Sequence, residues 1–126
     1  MIFRCAKCLV PVTRDLFLAT ESLLTKYEEG MYEEDYVPRG FYSVGVPFRV
    51  EPEIYPRLDE HYVVNLKDLI NTKQNDRDGG CCGLSGMSGM NTVCVHDHEL
   101  GVECSDCWHT FHFIHFPPDN VAPVEK

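Results

Sequence analysis

The sequence predicts a small single domain that is mainly β, of the β-rich α+β type, and three observations support this class. Its 126 residues are 44% apolar and 25% charged, which is typical of one globular domain. Short runs of β-branched and aromatic residues alternate with prolines and glycines, as in strands joined by turns. Cys-x-x-Cys pairs near both ends predict a zinc-ribbon-like metal site that joins the N-terminal and C-terminal segments of residues 1–126.

The charge balance limits the class of partner. Twenty acidic side chains against eleven basic ones give a net charge of −9. We therefore expect no nucleic acid as a partner, and a basic protein fits better. No run reaches the length of a membrane span, and the first residues lack an apolar stretch with a cleavage site, so a cytoplasmic protein without a membrane partner is expected. The sequence carries no signal for an oligomeric state.

Seven cysteines, an odd number, favour metal binding or thiol chemistry over a complete disulfide framework. Cys5 and Cys8 form one Cys-x-x-Cys pair, and Cys104 and Cys107 form another. This spacing lets a tight turn direct two thiolates at one tetrahedral ion, so two such pairs predict a structural site for Zn²⁺. Reduced core thiols and a redox pair are the alternatives.

The metal ligands are predicted to include Cys5 and Cys8, while the other two remain open. Those two come from Cys94, His96, Cys104 and Cys107. An imidazole, of His96 or His98, is an alternative to one of the sulfurs. Residues 92–96, a turn over residues 97–101 and residues 102–104 predict a hairpin that brings Cys94 and Cys104 together across its strands.

The N-terminal third predicts a cysteine turn, a helix and an acidic loop. Residues 1–12 suit strand, cysteine turn and strand, with Pro11 confining the second strand to an edge. Asp15 is a candidate helix cap, although residues 16–19 also suit a strand. Residues 28–36 form either a solvated acidic loop or a surface for a basic partner. The candidate partner-binding residues are Glu28, Glu29, Tyr32, Glu33, Glu34 and Asp35.

The middle of the chain predicts three short strands, over residues 41–44, 48–50 and 61–64. Asn65 is then expected to cap a short helical turn. The polar stretch over residues 71–78 is expected to be exposed.

Residues 79–90 form a glycine-rich loop that suits neither a helix nor a regular central strand. Its glycines recur every third residue, at Gly80, Gly83, Gly86 and Gly89. The loop lacks the Lys, the Ser/Thr and the following helix that a phosphate-binding loop requires. It would instead present Cys81 and Cys82 to a metal, a partner or a substrate.

The last predicted element is a strand over residues 108–116, which completes the hairpin and core strand of residues 92–116. Successive residues, such as Trp108 and His109, would face opposite sides of the sheet, and both faces are largely apolar. We therefore expect a central strand covered on each side. Its histidines are interpreted as rings satisfied by hydrogen bonds rather than as ligands.

Four motifs follow one another along most of the chain. They are Cys5-x-x-Cys8, Arg77-Asp-Gly-Gly-Cys-Cys-Gly-Leu-Ser-Gly86, Asn91-x-x-Cys94 and Gly101-Val-Glu-x-Ser-Asp-Cys-Trp108. This order resembles a family of small uncharacterised bacterial proteins. Members of that family carry Cys-x-Cys-Gly where this chain has Cys94-Val-His96-Asp97. The resemblance implies a metal-binding fold with Cys94 and His96 as ligands, and it points to no reaction.

Together these features predict a non-catalytic zinc-binding protein, of a regulatory or toxin-neutralising type, that binds another protein through its acidic surface. Four protein ligands would close the zinc site to a substrate. A zinc ribbon that binds nucleic acid is disfavoured because the eleven basic residues are scattered singly.

Two enzymatic functions are the alternatives. One is a thiol-dependent enzyme that uses Cys81 or Cys82. Its candidate bases are His61, His109 and His112. The other is a metal-dependent hydrolase with three protein ligands and an open position. Its candidate ligands are Cys94, His96, His98 and Cys107, and its candidate bases are Asp97, Glu99 and Glu103.

Overall fold

The computed structural model describes residues 1–46, 58–75 and 80–125, and these residues form a mainly β domain, as predicted. The predicted strand over residues 48–50 lies outside them. No α-helix occurs in the described ranges, and no helix there is long and apolar enough to cross a membrane.

Ten short strands and four single 3₁₀ turns make up the regular structure of these ranges. The strands are β1 (Ile2–Cys5), β2 (Phe17–Leu18), β3 (Glu34–Asp35), β4 (Phe41–Val44), β5 (Tyr62–Val64), β6 (Thr72–Gln74), β7 (Thr92–Cys94), β8 (Glu99–Cys104), β9 (Phe111–Phe116) and β10 (Val121–Val124). The 3₁₀ turns are Glu21–Leu23, Leu58–Glu60, Leu66–Asp68 and Pro118–Asn120.

The strands form a large sheet and a separate pair. The large sheet has the order β2-β4-β5-β9-β8-β7-β6, and β3 adds to β9 in parallel. In the register of this sheet, His115 on β9 lies opposite Val63 on β5 and Val102 on β8. The first and last strands, β1 and β10, pair antiparallel as a two-stranded sheet.

The core lies on both sides of β9, which confirms the predicted central strand. Ile114 and Phe116 belong to one hydrophobic cluster, and Phe111 and Phe113 belong to a second. The strand is shorter than predicted, however. Trp108 precedes it and is 53% exposed.

The helix predicted after Asp15 is wrong. The Asp15 carboxylate accepts a hydrogen bond from the amino group of Met1, with an N–O distance of 2.7 Å. The next residues, Phe17–Leu18, pair with β4, and only the single 3₁₀ turn Glu21–Leu23 follows. Pairing with β4 satisfies backbone groups that a helix would have used, so tertiary context overrides a weak helical periodicity.

The middle of the chain follows the prediction except at one edge. Strands β4 and β5 lie where they were expected, and the Asn65 side chain accepts a hydrogen bond from the Lys67 backbone N–H at 2.9 Å as the predicted cap. Thr72–Gln74, in the polar stretch expected to be exposed, form the edge strand β6 beside β7, and Lys73 and Gln74 are exposed. An edge strand made only of polar residues carries no alternation that sequence patterns detect.

Candidate metal centres

A tight turn at the end of β1 places the first two thiols. The Cys5 N–H donates to the Val10 carbonyl at 2.9 Å, and the Leu9 N–H donates back to the Cys5 carbonyl at 2.8 Å. Leu9 closes the turn in the left-handed conformation, with φ 64°. The cysteine turn predicted over residues 1–12 is therefore present, and it brings Cys5 and Cys8 into one group of candidate ligands.

The hairpin of β7 and β8 supplies two further donors. The Asp97 N–H donates to the Cys94 carbonyl and the Cys94 N–H donates to the His98 carbonyl, both at 2.9 Å. Asp97 has φ 68°, so residues 95–97 form a three-residue turn whose last residue is left-handed. This turn sets Cys94 directly opposite His98.

The predicted turn over residues 97–101 is consequently wrong, and so is the pairing of Cys94 with Cys104. Gly101, the last residue of the predicted turn, lies inside β8. A Cβ on Gly101 would collide with the carbonyl oxygen of His115 on the neighbouring strand, so glycine is needed there for close strand approach. Cys104 lies at the far end of β8, in the second hydrophobic cluster.

The two turns bring Cys5, Cys8, Cys94 and His98 together, and we call these residues the first cysteine group. One donor atom from each lies within 4.8 Å of the others, so the group could hold a metal ion. The Cys8 and Cys94 sulfurs are 3.8 Å apart. His98 Nδ1 is 3.4 Å from the Cys94 sulfur and 3.6 Å from the Cys5 sulfur.

His96 lies beside this group rather than within it. Its ring is exposed, with Nδ1 3.4 Å from the Cys8 sulfur. Its backbone N–H donates to the Cys94 sulfur at 3.3 Å. His98, and not His96, is therefore the imidazole in the group that could hold a metal ion.

Hydrogen bonding prepares Cys94 for the thiolate form. Burial raises the pKa of the Cys94 thiol, but hydrogen bonds from the backbone at His98 and His96 and from the thiols of Cys8 and Cys5 lower it by more. The net pKa lies below the ordinary value. Because a metal binds the thiolate, these bonds favour the ligating state.

The predicted ligand Cys107 lies in a different place, in a second cysteine group of Cys81, Cys82, Asp106 and Cys107. The Cys81 sulfur is 3.2 Å from that of Cys82 and 3.4 Å from that of Cys107. Cys81 and Cys82 are exposed and Cys107 is partly exposed. This group could also hold a metal ion.

Asp106 organises the second cysteine group through the backbone. One carboxylate oxygen accepts the N–H groups of Cys82 and Cys107 at 2.9 and 2.8 Å, and the other accepts that of Cys81 at 3.2 Å. These bonds, that from Cys82 first, lower the pKa of Asp106 to about 2. Sequence reasoning missed this role, because it depends on contact between the glycine-rich loop and a turn far along the chain.

The glycines let this loop approach the turn at residues 105–107. A Cβ on Gly80 would collide with the Asp106 carboxylate, and one on Gly83 would collide with the Ser105 carbonyl. The Leu84 N–H donates to the Ser105 hydroxyl at 3.0 Å. The loop therefore presents its thiols from a fixed backbone.

The histidines proposed as bases have other partners. His109 Nδ1 accepts the Asp106 N–H at 2.9 Å, and its Nε2 donates to the Ser85 carbonyl at 2.8 Å. Burial lowers the pKa of His109, so the ring stays neutral with both nitrogens engaged. His112 Nε2 donates to the Asp106 carbonyl at 2.9 Å.

His61 lies in the core, away from the surface thiols. Its Nδ1 is 2.9 Å from Nδ1 of His115, and both rings are buried. Burial lowers the pKa of His115 to about 3. The two rings therefore form a hydrogen-bonded pair inside the domain, in which His115 is neutral.

Two of the bases proposed for a hydrolase are also engaged. Asp97 forms an ion pair with Lys73 at 2.7 Å, which lowers the pKa of Asp97. The buried Glu103 accepts hydrogen bonds from Gln74 at 3.1 Å and from the Ser105 hydroxyl at 2.7 Å. Glu99 is exposed at the start of β8.

The predicted acidic surface is exposed at every position and is held at both ends. The Thr25 N–H donates to the Tyr36 carbonyl at 2.9 Å, and Tyr36 packs against Phe111 with ring centroids 5.2 Å apart. The Glu33 N–H donates to the His109 carbonyl at 2.8 Å, next to the exposed Trp108. The exposed residues are Glu28, Glu29, Tyr32, Glu33, Glu34 and Asp35.

No protein-family model, curated protein or solved structure matches this chain.

Proposed function

We propose that the protein is a non-catalytic, zinc-stabilised domain that binds a basic protein partner through its acidic surface, as a regulatory or toxin-neutralising protein would. In this proposal Zn²⁺ is held by the first cysteine group, in a zinc-ribbon-like site that joins the N-terminal turn to the β7–β8 hairpin. The protein acts in a reducing, cytoplasmic environment, where the thiolates remain available to the metal.

The spacing of the donor atoms supports zinc in the first cysteine group. Zn–S bonds of about 2.3 Å and Zn–N bonds of about 2.0–2.1 Å in a tetrahedron require S–S edges of about 3.8 Å and S–N edges of about 3.5 Å. The S–S edge between Cys8 and Cys94 is 3.8 Å, and the S–N edges to His98 are 3.4 and 3.6 Å. A Cys₃His set of this size fills all four positions, so the metal has a structural rather than a catalytic role.

The environment of Cys81 and Cys82 does not favour a thiol-dependent enzyme. A catalytic cysteine needs a lowered pKa and a base within reach. The pKa of Cys82 is raised, because a hydrogen bond with Cys107 lowers it but the Cys81 thiol, burial and the Asp106 charge raise it by more. The pKa of Cys81 is also raised. His109 uses both ring nitrogens elsewhere, and His61 is paired with His115 in the core.

An acidic, aromatic surface with a fixed backbone is the main support for the proposed binding of a basic protein. Tyr32 is 61% exposed, and Trp108, which precedes the His109 carbonyl that accepts the Glu33 N–H, is 53% exposed. Exposed aromatic side chains are frequent hot spots of interfaces, and the surrounding carboxylates attract and orient a basic partner. Because β3 is already paired with β9, binding costs little ordering of this segment.

The test compares two variants with the same change in net charge. One carries Glu28→Lys, Glu29→Lys and Glu34→Lys on the acidic surface. The other carries Asp59→Lys, Asp119→Lys and Glu125→Lys at exposed positions elsewhere. Each tagged protein is used to capture partners from cell lysate at low and at raised salt.

We expect the wild type and the control variant to retain one basic protein in stoichiometric amount, released by salt, and the acidic-surface variant to lose it. A Trp108→Ala variant should weaken the captured complex by more than about 10-fold. Equal capture by the wild type, the control variant and the acidic-surface variant would refute the proposal. The absence of a stoichiometric partner for the wild type would also refute it.

A further inference from the structure

The second cysteine group differs from the first in both composition and exposure. It contains three thiols and no imidazole, and two of the thiols are exposed. We infer that Cys81, Cys82 and Cys107 form a second metal site, open to solvent, that binds Cu(I) as a three-thiolate complex. This site is separate from the zinc site and from the partner-binding role proposed above.

Asp106 acts as a clamp in this site rather than as a ligand. Its carboxylate accepts three backbone N–H groups, from Cys81, Cys82 and Cys107, at 2.8–3.2 Å. The backbone of Gly80 also covers one of its oxygens, because a Cβ there would collide with it. The carboxylate therefore holds the backbone of all three cysteines while the sulfurs remain to bind an ion.

The backbone around the thiols is built to keep them together. Two of the cysteines are adjacent in the loop, and the third follows Asp106 in the turn that the loop packs against. The Leu84 N–H bond to the Ser105 hydroxyl and the close approach of Gly83 to Ser105 fasten the loop on the other side. A preorganised set of ligands lowers the entropy lost when a metal binds.

The donor set selects the class of metal. Three thiolates with no hard ligand favour a soft ion, and Cu(I) is the soft ion among those that thiolates select in proteins. Zn²⁺ in a closed protein site takes four ligands. The fourth candidate donor of the second cysteine group is the Asp106 carboxylate, which already accepts three backbone N–H groups. On binding, the three thiols release their protons to solvent and one Cu⁺ takes their place.

A disulfide is the rival chemistry, because the Cys81 and Cys107 sulfurs are 3.4 Å apart. Such a bond would remove two of the three ligands. The experiment therefore counts thiols as well as metal.

The test is an anaerobic titration of the reduced, zinc-bound protein with Cu(I), in competition with bicinchoninate as the chelator. We expect about one Cu(I) per chain without release of zinc. Cys82→Ser and Cys107→Ser should each weaken Cu(I) binding by more than about 100-fold, since even outer-sphere changes cost 10–100-fold. Cys104→Ser, at a buried cysteine outside both groups, is the matched control and should bind Cu(I) like the wild type.

Zinc content and thiol counts identify the results that would overturn the inference. Release of zinc in proportion to bound copper would assign the copper to the first cysteine group. Tight binding of a second Zn²⁺ that Cu(I) does not displace would contradict the three-coordinate soft site. A Cys81–Cys107 disulfide in protein purified under reducing conditions, with no Cu(I) bound, would replace the metal site with a redox pair.

Discussion

Leu9 closes the cysteine turn in a backbone conformation that costs a residue other than glycine about 1–2 kcal/mol. Its φ is 64° and its side chain is 56% exposed, so packing offsets little of this cost. Two backbone hydrogen bonds, from Cys5 to Val10 and from Leu9 to Cys5, make the turn tight. The turn brings the Cys5 and Cys8 thiols into one group that could hold a metal ion. Glycine would adopt the same backbone without a steric cost.

We expect Leu9→Gly to stabilise the protein by up to about 1 kcal/mol, since the relief of strain exceeds the extra chain entropy of glycine. Thermal unfolding at saturating zinc measures the change. Leu18→Gly is the control, because Leu18 is similarly exposed but lies in an ordinary strand, where glycine destabilises. Destabilisation by Leu9→Gly as large as that by Leu18→Gly would contradict the expectation.

His115 makes the stability of the domain depend on pH. Burial lowers the pKa of the folded-state ring to about 3, whereas an unfolded histidine titrates near 6.5. The unfolded chain therefore binds more protons between these values. Stability from this group is complete above about pH 6.5 and is lost as the pH falls toward 3, by up to about 1.4 kcal/mol per pH unit.

The direct measurement is the ¹⁵N chemical shift of the His115 ring at pH 7 and pH 5. We expect the ring to remain neutral at both values because its environment disfavours the charged form. The free energy of unfolding, measured with zinc present, should fall over the same interval. A ring that becomes protonated near pH 6.5 in the folded protein would contradict the buried pairing with His61.

At the level of elements, the glycine-rich loop and the turn at residues 105–107 form one unit. The loop contacts the turn through the backbone of Gly80 and Gly83 rather than through apolar side chains. Its sequence therefore carries almost no hydrophobic pattern. The sequence predicted its lack of regular structure and the presentation of Cys81 and Cys82. It did not predict the contact with Asp106, because a loop without periodicity gives no register.

We expect Gly83→Ala to destabilise the protein by about 1–3 kcal/mol, since its Cβ would collide with the Ser105 carbonyl. Ser88→Ala, an exposed change in the same loop, should stay within about 0.5 kcal/mol of the wild type. Chemical denaturation of both variants measures the difference. Equal stability of the Gly83→Ala and Ser88→Ala variants would show that the loop does not pack closely against the turn at residues 105–107.

The β7–β8 hairpin shows where element boundaries limit prediction. Both strands and the presence of a turn were foreseen, but the turn was placed at residues 97–101 instead of 95–97. Asp97 adopts the left-handed conformation at the end of the observed turn. A shift of a few residues replaces Cys104 by His98 opposite Cys94, so a small error in a turn changes the ligand set.

For the whole molecule, the central strand β9 and the mainly β class could be predicted, because long apolar runs and turn residues are strong local signals. Cys5 and Cys8 were likewise evident from their spacing. The division of the cysteines into two groups was not, since it depends on which distant turns meet. Trp108 was assigned to the core strand, although it is exposed and precedes His109, whose carbonyl accepts the Glu33 N–H.

Removal of zinc should destabilise the region around the first hydrophobic cluster before the region around the second. Cys5 and Cys94 lie in the first hydrophobic cluster, with Phe3 and Phe116, and the second cluster contains no residue of the first cysteine group. We expect a chelator to lower the Tm by more than about 10 °C. Hydrogen exchange should accelerate at residues 2–10 before it does at Val102 and Phe111, which belong to the second cluster. Uniform exchange across both regions would contradict this order.

The most direct test of the account is the zinc content of a Cys82→Ser, Cys107→Ser protein, in which the second cysteine group is disabled, purified without chelator. His96→Ala and His98→Ala are compared in this background. We predict about one zinc per chain in the parent and in His96→Ala, and loss of zinc in His98→Ala. Zinc retained by His98→Ala and lost by His96→Ala, or no zinc in the parent, would contradict the closed Cys₃His site.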